Sequence, residues 1–284
     1  MGEQLTRLAF AVVAIPVVLG LVWYGGLPLV LLLTAAGVLA LRELFGFAEQ
    51  QGYRPLRGFA TATAALVPPL VYVGIAYLPE LRGQVVMAFG AWLLVALLAA
   101  LLGRGPDERP LASSAVTVFG VLYTVVLPSY LLAIRHLEHA RESWAGTWLV
   151  LMPLAITWIG DTAAMFGGKA IGGPKLAPRV SPGKTRAGAA CGFAATVGAT
   201  FLFDALVLQR FGFALSPLRL ALFGAVISVA GQAGDLVESL FKREVGVKDS
   251  SSLIPGHGGV LDRLDSLYFA IPAAAVLYRA FGVI

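Results

Sequence analysis

Residues 248–265 read KDSSSLIPGHGGVLDRLD, which places Lys248, Arg263, the carboxylates Asp249, Asp262 and Asp265, three serines, His257 and three glycines within eighteen residues. Upstream, Asp161 stands in TWIGDTAAMF, and Asp235 and Glu238 stand in GQAGDLVESLFKR. Residues three apart share a helix face, so Asp235 and Glu238 pair on one side, as do Asp262 and Asp265 if a helix begins before them. Near these acids lie Lys169, Lys175, Arg179, Lys184 and Arg186 in one segment and Lys242, Arg243, Lys248 and Arg263 in the other. Hard cations such as Mg²⁺ take oxygen ligands, usually one or two carboxylates with substrate phosphates and water. Carboxylates for a metal and ammonium or guanidinium groups for phosphate oxygens are what phosphoryl chemistry requires, since its catalysis is largely positioning and charge neutralisation. Each carboxylate alone also reads as a helix-end acid bonded to backbone or to a neighbouring base. The cations alone read as the usual positive bias of cytoplasmic loops. Four to five carboxylates converging on the two basic segments favour a site.

Several narrower chemistries fall away. SPGKT, residues 181–185, lacks the phosphate-binding-loop glycine five positions before Gly183, where Pro178 stands. His257 has no companions for zinc, because His136 and His139 fall in a loop expected on the opposite side. Its expected role is to hydrogen-bond a phosphate or to order its loop, with Gly256, Gly258 and Gly259 allowing close backbone approach or positive φ. A simple tight turn before the last helix is the competing account of those glycines. The single cysteine, Cys191, excludes an intrachain disulfide and reads as packing. Asp204 reads as structural.

The elements that must position these groups are membrane helices. Of 284 residues, 58% are hydrophobic and 13% charged, about half the charged share of a soluble domain, which is about 25%. A hydrocarbon core needs about 20 mostly apolar residues per helix. The expected fold is all-α and polytopic, with about nine transmembrane helices near 8–24, 27–46, 59–78, 84–102, 112–134, 147–166, 188–208, 218–240 and 266–282. Arg7 before the first apolar run resembles a leader, but no small-residue cleavage site follows, so a retained helix is expected. Residues 1–145 form an N-terminal half of spans, and 146–284 a catalytic half with cytoplasmic loops 167–187 and 241–265.

Charge orients the chain. With nine spans, the 21 Lys and Arg residues divide 15 to 6 between the two sides. The richer side is cytoplasmic, which puts the N-terminus and both basic loops inside and the C-terminus outside. The net charge of +5 therefore reads as topology plus an anion site. No stripe of basic and aromatic residues supports a nucleic-acid partner.

From Ser239 the chain reads SLFKREVGVKDSSSLIPGHGGVLDRLD, which resembles the signature of the phosphatidate cytidylyltransferases, or CDP-diacylglycerol synthases. The residues at that family's spacing are Ser239, Lys242, Arg243, Lys248, Asp249, Pro255, His257, Gly258, Gly259, Asp262, Arg263 and Asp265. GDLVES, WIGDTAAMFGG and KLAPRVSPGKT resemble further family segments, so the likeness covers roughly residues 150–270. Two departures stand out. Arg186, Ala187 and Gly188 follow SPGKT where a bulky residue, Glu and Gly are frequent, and Gly183 stands where a second Lys is frequent.

The resemblance implies an integral enzyme of the cell (inner) membrane that joins CTP and phosphatidate into CDP-diacylglycerol and pyrophosphate in phospholipid biosynthesis, with Mg²⁺ and room for a second cation. It implies catalytic roles for Asp235, Lys248, Asp249, Asp262 and Arg263. Phosphate contacts are implied for Lys175, Ser181, Lys184, Thr185, Lys242, Arg243, Ser250, His257, Gly258 and Gly259. The implied metal set is Asp161, Asp235, Asp249, Asp262 and Asp265, with Asp235 and Asp262 as principal ligands. The competing functions are a CTP-dependent polyprenol kinase, an ion-coupled transporter and a structural membrane scaffold. Gly188 and Gly192, four apart, permit close helix packing, either within the fold or in a homodimer.

Overall fold

The computed structural model describes Val12, residues 16–254 and residues 258–284, the side chains of residues 79, 81 and 82 excepted. Of the described residues, 79% are helical. It forms two compact units: one takes the residues up to Leu137 together with Asp249–Asp262, the other Glu138–Lys248 and Arg263–Ile284.

The first unit contains α1 (16–24), α2 (Gly26–Gln50), α3 (Arg57–Ala76), α4 (Val85–Gly103) and a long helix made of α5 (Pro110–Val121), a π-helical turn (Leu122–Val126) and α6 (Leu127–His136). The π turn precedes Pro128, which has no N–H for the helical ladder, and widening the preceding turn absorbs that loss. Leu41 and Phe45 of α2, Ala60 and Ala64 of α3, and Val121 and Val125 form the buried core. Gly120 is essential to that approach, because a Cβ there would lie 2.7 Å from Phe45 and 2.9 Å from Leu41. Buried Ser113, Thr117, Thr124 and Ser129 return their hydroxyl protons to carbonyls near one turn back, so polar side chains in the apolar helices are satisfied.

The α1–α2 junction turns on Gly25 and Gly26, at φ 67° and 54°. Arg135 donates to the carbonyls of Val22 and Trp23, and His136 Nε2 accepts from the Gly26 amide. His136 thus belongs to the last turn of α6, and the sequence-based loop at this position begins later. The reason is local: Arg135 and His136 find buried acceptors and donors, which lets the helix continue past its apolar stretch.

The second unit contains α7 (Trp144–Ile171), the antiparallel hairpin β1 (Lys175–Ala177) and β2 (Ser181–Thr185), α8 (Arg186–Leu206), α9 (Pro217–Glu244) and α11 (Leu267–Phe281). The five-residue α10 (Val260–Leu264) precedes α11 across the turn at Asp265 and Ser266. Ser143, Thr185 and Ser216 cap α7, α8 and α9, each accepting an amide hydrogen three residues on. Small residues let α7 and α8 touch: a Cβ on Gly188 would lie 2.6 Å from the Ala164 carbonyl, and one on Gly192 would lie 2.9 Å from that of Gly160. The two glycines therefore serve contact inside this unit. Cys191 is a free thiol that packs in the same seam against Gly167.

Seven helices among the described residues are long and apolar enough to cross a membrane: Gly26–Gln50, Arg57–Ala76, Val85–Gly103, Pro110–His136, Trp144–Ile171, Arg186–Leu206 and Pro217–Glu244. These correspond to seven of the nine expected spans, and the protein is all-α and polytopic. The first expected span falls partly outside the described residues. The ninth corresponds to α11, 15 residues long with Pro272 inside it. The loop expected at 167–187 is shorter than read, because α7 continues to Ile171 and the hairpin takes most of the remainder.

Candidate active site

Two polar clusters carry the sequence-singled residues, one in each unit. In the second unit, α7 supplies Asp161, β2 supplies Lys184, and α9 supplies Asp235. Lys184 Nζ lies 2.5 Å from Asp235 Oδ2, and the Ser239 hydroxyl donates to Asp235 Oδ1 at 3.4 Å. A cavity of about 610 Å³ opens beside this pair, lined by Asp161, Lys169, Lys175, Lys184, Gln232 and Asp235 among others. The hairpin exists because Gly172 and Gly173, at φ 69° and 89°, turn the chain back at the end of α7. It is pinned at its far end by Thr185, which is buried and caps α8. Lys175 pairs in register with Thr185, and Ser181 with Ala177.

Asp265 stands in the turn between α10 and α11. Its backbone comes close to α9, since a Cβ on Gly234 would lie 2.5 Å from the Asp265 carbonyl. The Ser266 amide donates to Asp265 Oδ1 at 2.6 Å, and the Ser266 hydroxyl reaches Asp161 Oδ2 at 3.5 Å. Burial, and then the nearby Asp235 carboxylate, push Asp265 up from 3.8 to about 7, with Asp161 adding to the rise. Asp265 thus shares one region with Asp161 and Asp235.

Of the remaining cations of this unit, Lys242 pairs with Glu238 one turn earlier at 2.5 Å, and that pair is largely buried. Arg243 donates to the Val180 carbonyl of the hairpin and to that of Val247. Lys248 and Arg263 are exposed.

In the first unit, residues 249–254 and 258–262 contact one another. Asp262 Oδ2 accepts the Ser250 amide, the Ser250 hydroxyl and the Gly259 amide, each at 2.8 Å. Ile254 bridges Gly258, whose φ of 79° turns the chain. Glycine is required at 258 and 259 by proximity as well: a Cβ on Gly258 would meet the Asp262 carboxylate, and one on Gly259 would meet Ser250 and Glu43. Asp249 is exposed beside Gly258. Ser250, expected as a phosphate contact, directs its amide and hydroxyl at carboxylates in this structure. His257 lies outside the described residues. Glu43, which sequence reasoning passed over, accepts four hydrogen bonds here. An acid inside the apolar run LALRELFGF was the signal that could have found it, by the same rule that singled out Asp161.

Among the described residues no three His, Cys, Asp or Glu side chains form a ready-made metal cage. Mg²⁺ does not need one, because it keeps waters and takes one or two carboxylates with substrate phosphates. Asp235, Asp161 and Asp265 fit that requirement: they are oxygen donors whose mutual repulsion a divalent cation would relieve.

The cytidylyltransferase family profile matches residues 5–281. The chain is 36% identical over 292 residues to the phosphatidate cytidylyltransferase of Brucella suis, an alignment covering 100% of this chain and 95% of that protein. It is 37% identical over 237 residues to the phosphatidate cytidylyltransferase of Pseudomonas aeruginosa, covering 83% of each. Against the Synechocystis protein of the same name it is 30% identical over 287 residues, covering 94% and 93%. With a profile spanning nearly all of its length and relatives aligned end to end, the chain belongs to the cytidylyltransferase family.

Proposed function

We propose that this protein joins CTP and phosphatidate into CDP-diacylglycerol and pyrophosphate, with Mg²⁺ as its cofactor. The observation that carries the reading is the Lys184–Asp235 pair beside a cavity that also presents Lys169, Lys175 and Asp161, in a chain whose full-length relatives bear the name phosphatidate cytidylyltransferase.

The reaction forms a bond from a phosphatidate phosphate oxygen to the α-phosphorus of CTP and breaks the bond from that phosphorus to the bridging oxygen of the leaving pyrophosphate. The phosphate of phosphatidate, whose second pKa lies near about 6, is already largely ionised at neutral pH, so the attack needs no strong base. The obstacle is repulsion between two polyanions. Lys175 and Lys184 offer ammonium donors to non-bridging oxygens, and Lys169 extends the positive edge of the cavity. Asp235, with Asp161 and Asp265, would hold Mg²⁺, which when bound supplies positive charge at the α-phosphate and at the departing pyrophosphate. Gln232 is tied to the Ala189 carbonyl and the Ser228 hydroxyl, which fixes the cavity wall.

The lysine-rich side faces the cytoplasm of the cell membrane in this reading, where CTP is dissolved. Single cysteines at Ser181 and Ser251 in a Cys191→Ala background should then react only from the cytoplasmic side, and labelling from outside would reverse the orientation. The activity itself is tested by pyrophosphate release from purified protein. Release that requires CTP and phosphatidate together and is abolished by EDTA supports the proposal. Release without phosphatidate, or unchanged in EDTA, contradicts it.

A further inference from the structure

Glu43 lies in the last third of α2, a helix with no part in the chemistry described above. Its carboxylate nevertheless accepts from four donors of the 250–261 segment: the Ser250 hydroxyl at 3.0 Å, the Ser251 hydroxyl at 2.6 Å, the Val260 amide at 3.1 Å and the Leu261 amide at 2.8 Å. The first two donors begin the segment and the last two open α10, so one side chain gathers both ends of a loop. A carboxylate can do this because both oxygens accept only; the amide of a Gln would place an NH₂ group against two of the donors.

The Ser250 hydroxyl lies between Glu43 Oε2 and Asp262 Oδ2, at 3.0 and 2.8 Å. It has a single hydrogen to share, so the two carboxylates are coupled through it. The Ser250 amide, which donates to Asp262 as well, fixes the same oxygen from a second direction. Glycine at 259 is what lets the Glu43 carboxylate come this close to the backbone.

We infer that Glu43 is a positioning residue for the reaction: it clamps residues 250–251 to residues 260–261 and, through Ser250, sets the place of the carboxylate of Asp262, which the sequence singles out with Asp235 as a principal metal ligand. It acts through that segment and touches no reacting atom. The inference rests on the proposed cytidylyl transfer for its consequence on rate, but the clamp itself has an independent readout, the protection of Lys248 and Arg263, which flank the segment, from trypsin.

The test uses the full-length protein in detergent, comparing wild type, Glu43→Gln and Ser251→Ala. Glu43→Gln should keep its melting temperature close to wild type while tryptic cleavage after Lys248 or Arg263 accelerates about 10-fold relative to cleavage after Arg179. Turnover should fall by about 10²-fold, the scale of a misplacement of about 1 Å at a catalytic centre, with little change in KM for CTP. Ser251→Ala, which removes one of the four bonds, should move cleavage and turnover in the same direction by less. Its effect should largely disappear in the Glu43→Gln background, because both act through one clamp. A folded Glu43→Gln with wild-type cleavage and turnover overturns the inference. Should Glu43→Gln fail to fold, Ser251→Ala decides: faster cleavage at the flanks supports the clamp, and unchanged cleavage overturns it. Altered cleavage in a protein that makes no CDP-diacylglycerol would uphold the clamp while removing the proposed reaction.

Discussion

Lys184 Nζ lies 2.5 Å from Asp235 Oδ2, and that contact ties the second strand of the hairpin to the cytidylyltransferase chain's long helix α9. The lysine side chain is 29% exposed and the aspartate 28%, so the pair is partly solvated and its net contribution to stability is at most about 1 kcal/mol. Its place beside the cavity matters more. The lysine holds a positive charge where phosphate oxygens would arrive, and the aspartate holds an oxygen donor next to Asp161 and Asp265.

Lys184→Met should therefore separate function from folding. Turnover should drop by about 10²- to 10³-fold, as when one donor to developing charge is lost, and KM for CTP should rise. The melting temperature in detergent should stay within a few degrees of wild type. Steady-state kinetics beside a thermal melt checks this, and near-normal turnover would remove the pair from the chemistry.

Asp262 carries two separable loads. Its Oδ2 accepts three hydrogen bonds from Ser250 and Gly259, so Asp262→Ala leaves those donors without their acceptor and should cost about 1–3 kcal/mol. Asp262→Asn keeps an oxygen for them and removes only the charge. If the charge serves a metal, turnover should fall by on the order of 10³-fold while the fold persists. Initial rates across a Mg²⁺ titration, read with melting temperatures of both variants, distinguish the two loads. Wild-type rates for Asp262→Asn at ordinary Mg²⁺ would leave it a structural acceptor alone.

How far these groups could be read from the sequence depended on the reach of each contact. Seven apolar helices follow from hydropathy, because each needs only its own composition. The acids Asp161 and Asp235 were legible as ionisable residues at the ends of apolar runs, and Asp265 as a member of the polar stretch 248–265. The hairpin was not, since β1 is three residues long and β2 contains Pro182 and Gly183, both poor strand formers. Its register depends on Thr185 capping α8 and on Arg243 reaching the Val180 carbonyl. Glu43 stands 207 residues before Ser250, and no local pattern links them. Gly188 and Gly192 announced close packing, but only the opposing Ala164 and Gly160 show that the partner is α7.

Asp265 supplies a pH dependence with a definite sign. Burial and the Asp235 carboxylate raise it from 3.8 to about 7, so the folded metal-free protein keeps a proton that the unfolded chain has lost. That contribution to stability is present below about pH 4 and is lost as pH rises through about 7. A divalent cation needs the ionised carboxylate and so releases the proton on binding. Calorimetry of Mg²⁺ binding at about pH 6 in two buffers of different ionisation heat should show proton release. The release should vanish by about pH 9 and shrink in Asp265→Asn. Release that does not change with pH, or is intact in Asp265→Asn, would assign the proton elsewhere.

The central claim is that the lipid phosphate attacks the α-phosphorus of CTP, and position-specific labelling tests it most directly. Purified protein is given phosphatidate, Mg²⁺ and CTP carrying label on either the α- or the γ-phosphate. The account predicts that α-label appears in the lipid product and γ-label in free pyrophosphate, with both signals reduced together in Lys184→Met. γ-Label in the lipid with CDP released would make the protein a CTP-dependent kinase and contradict the account.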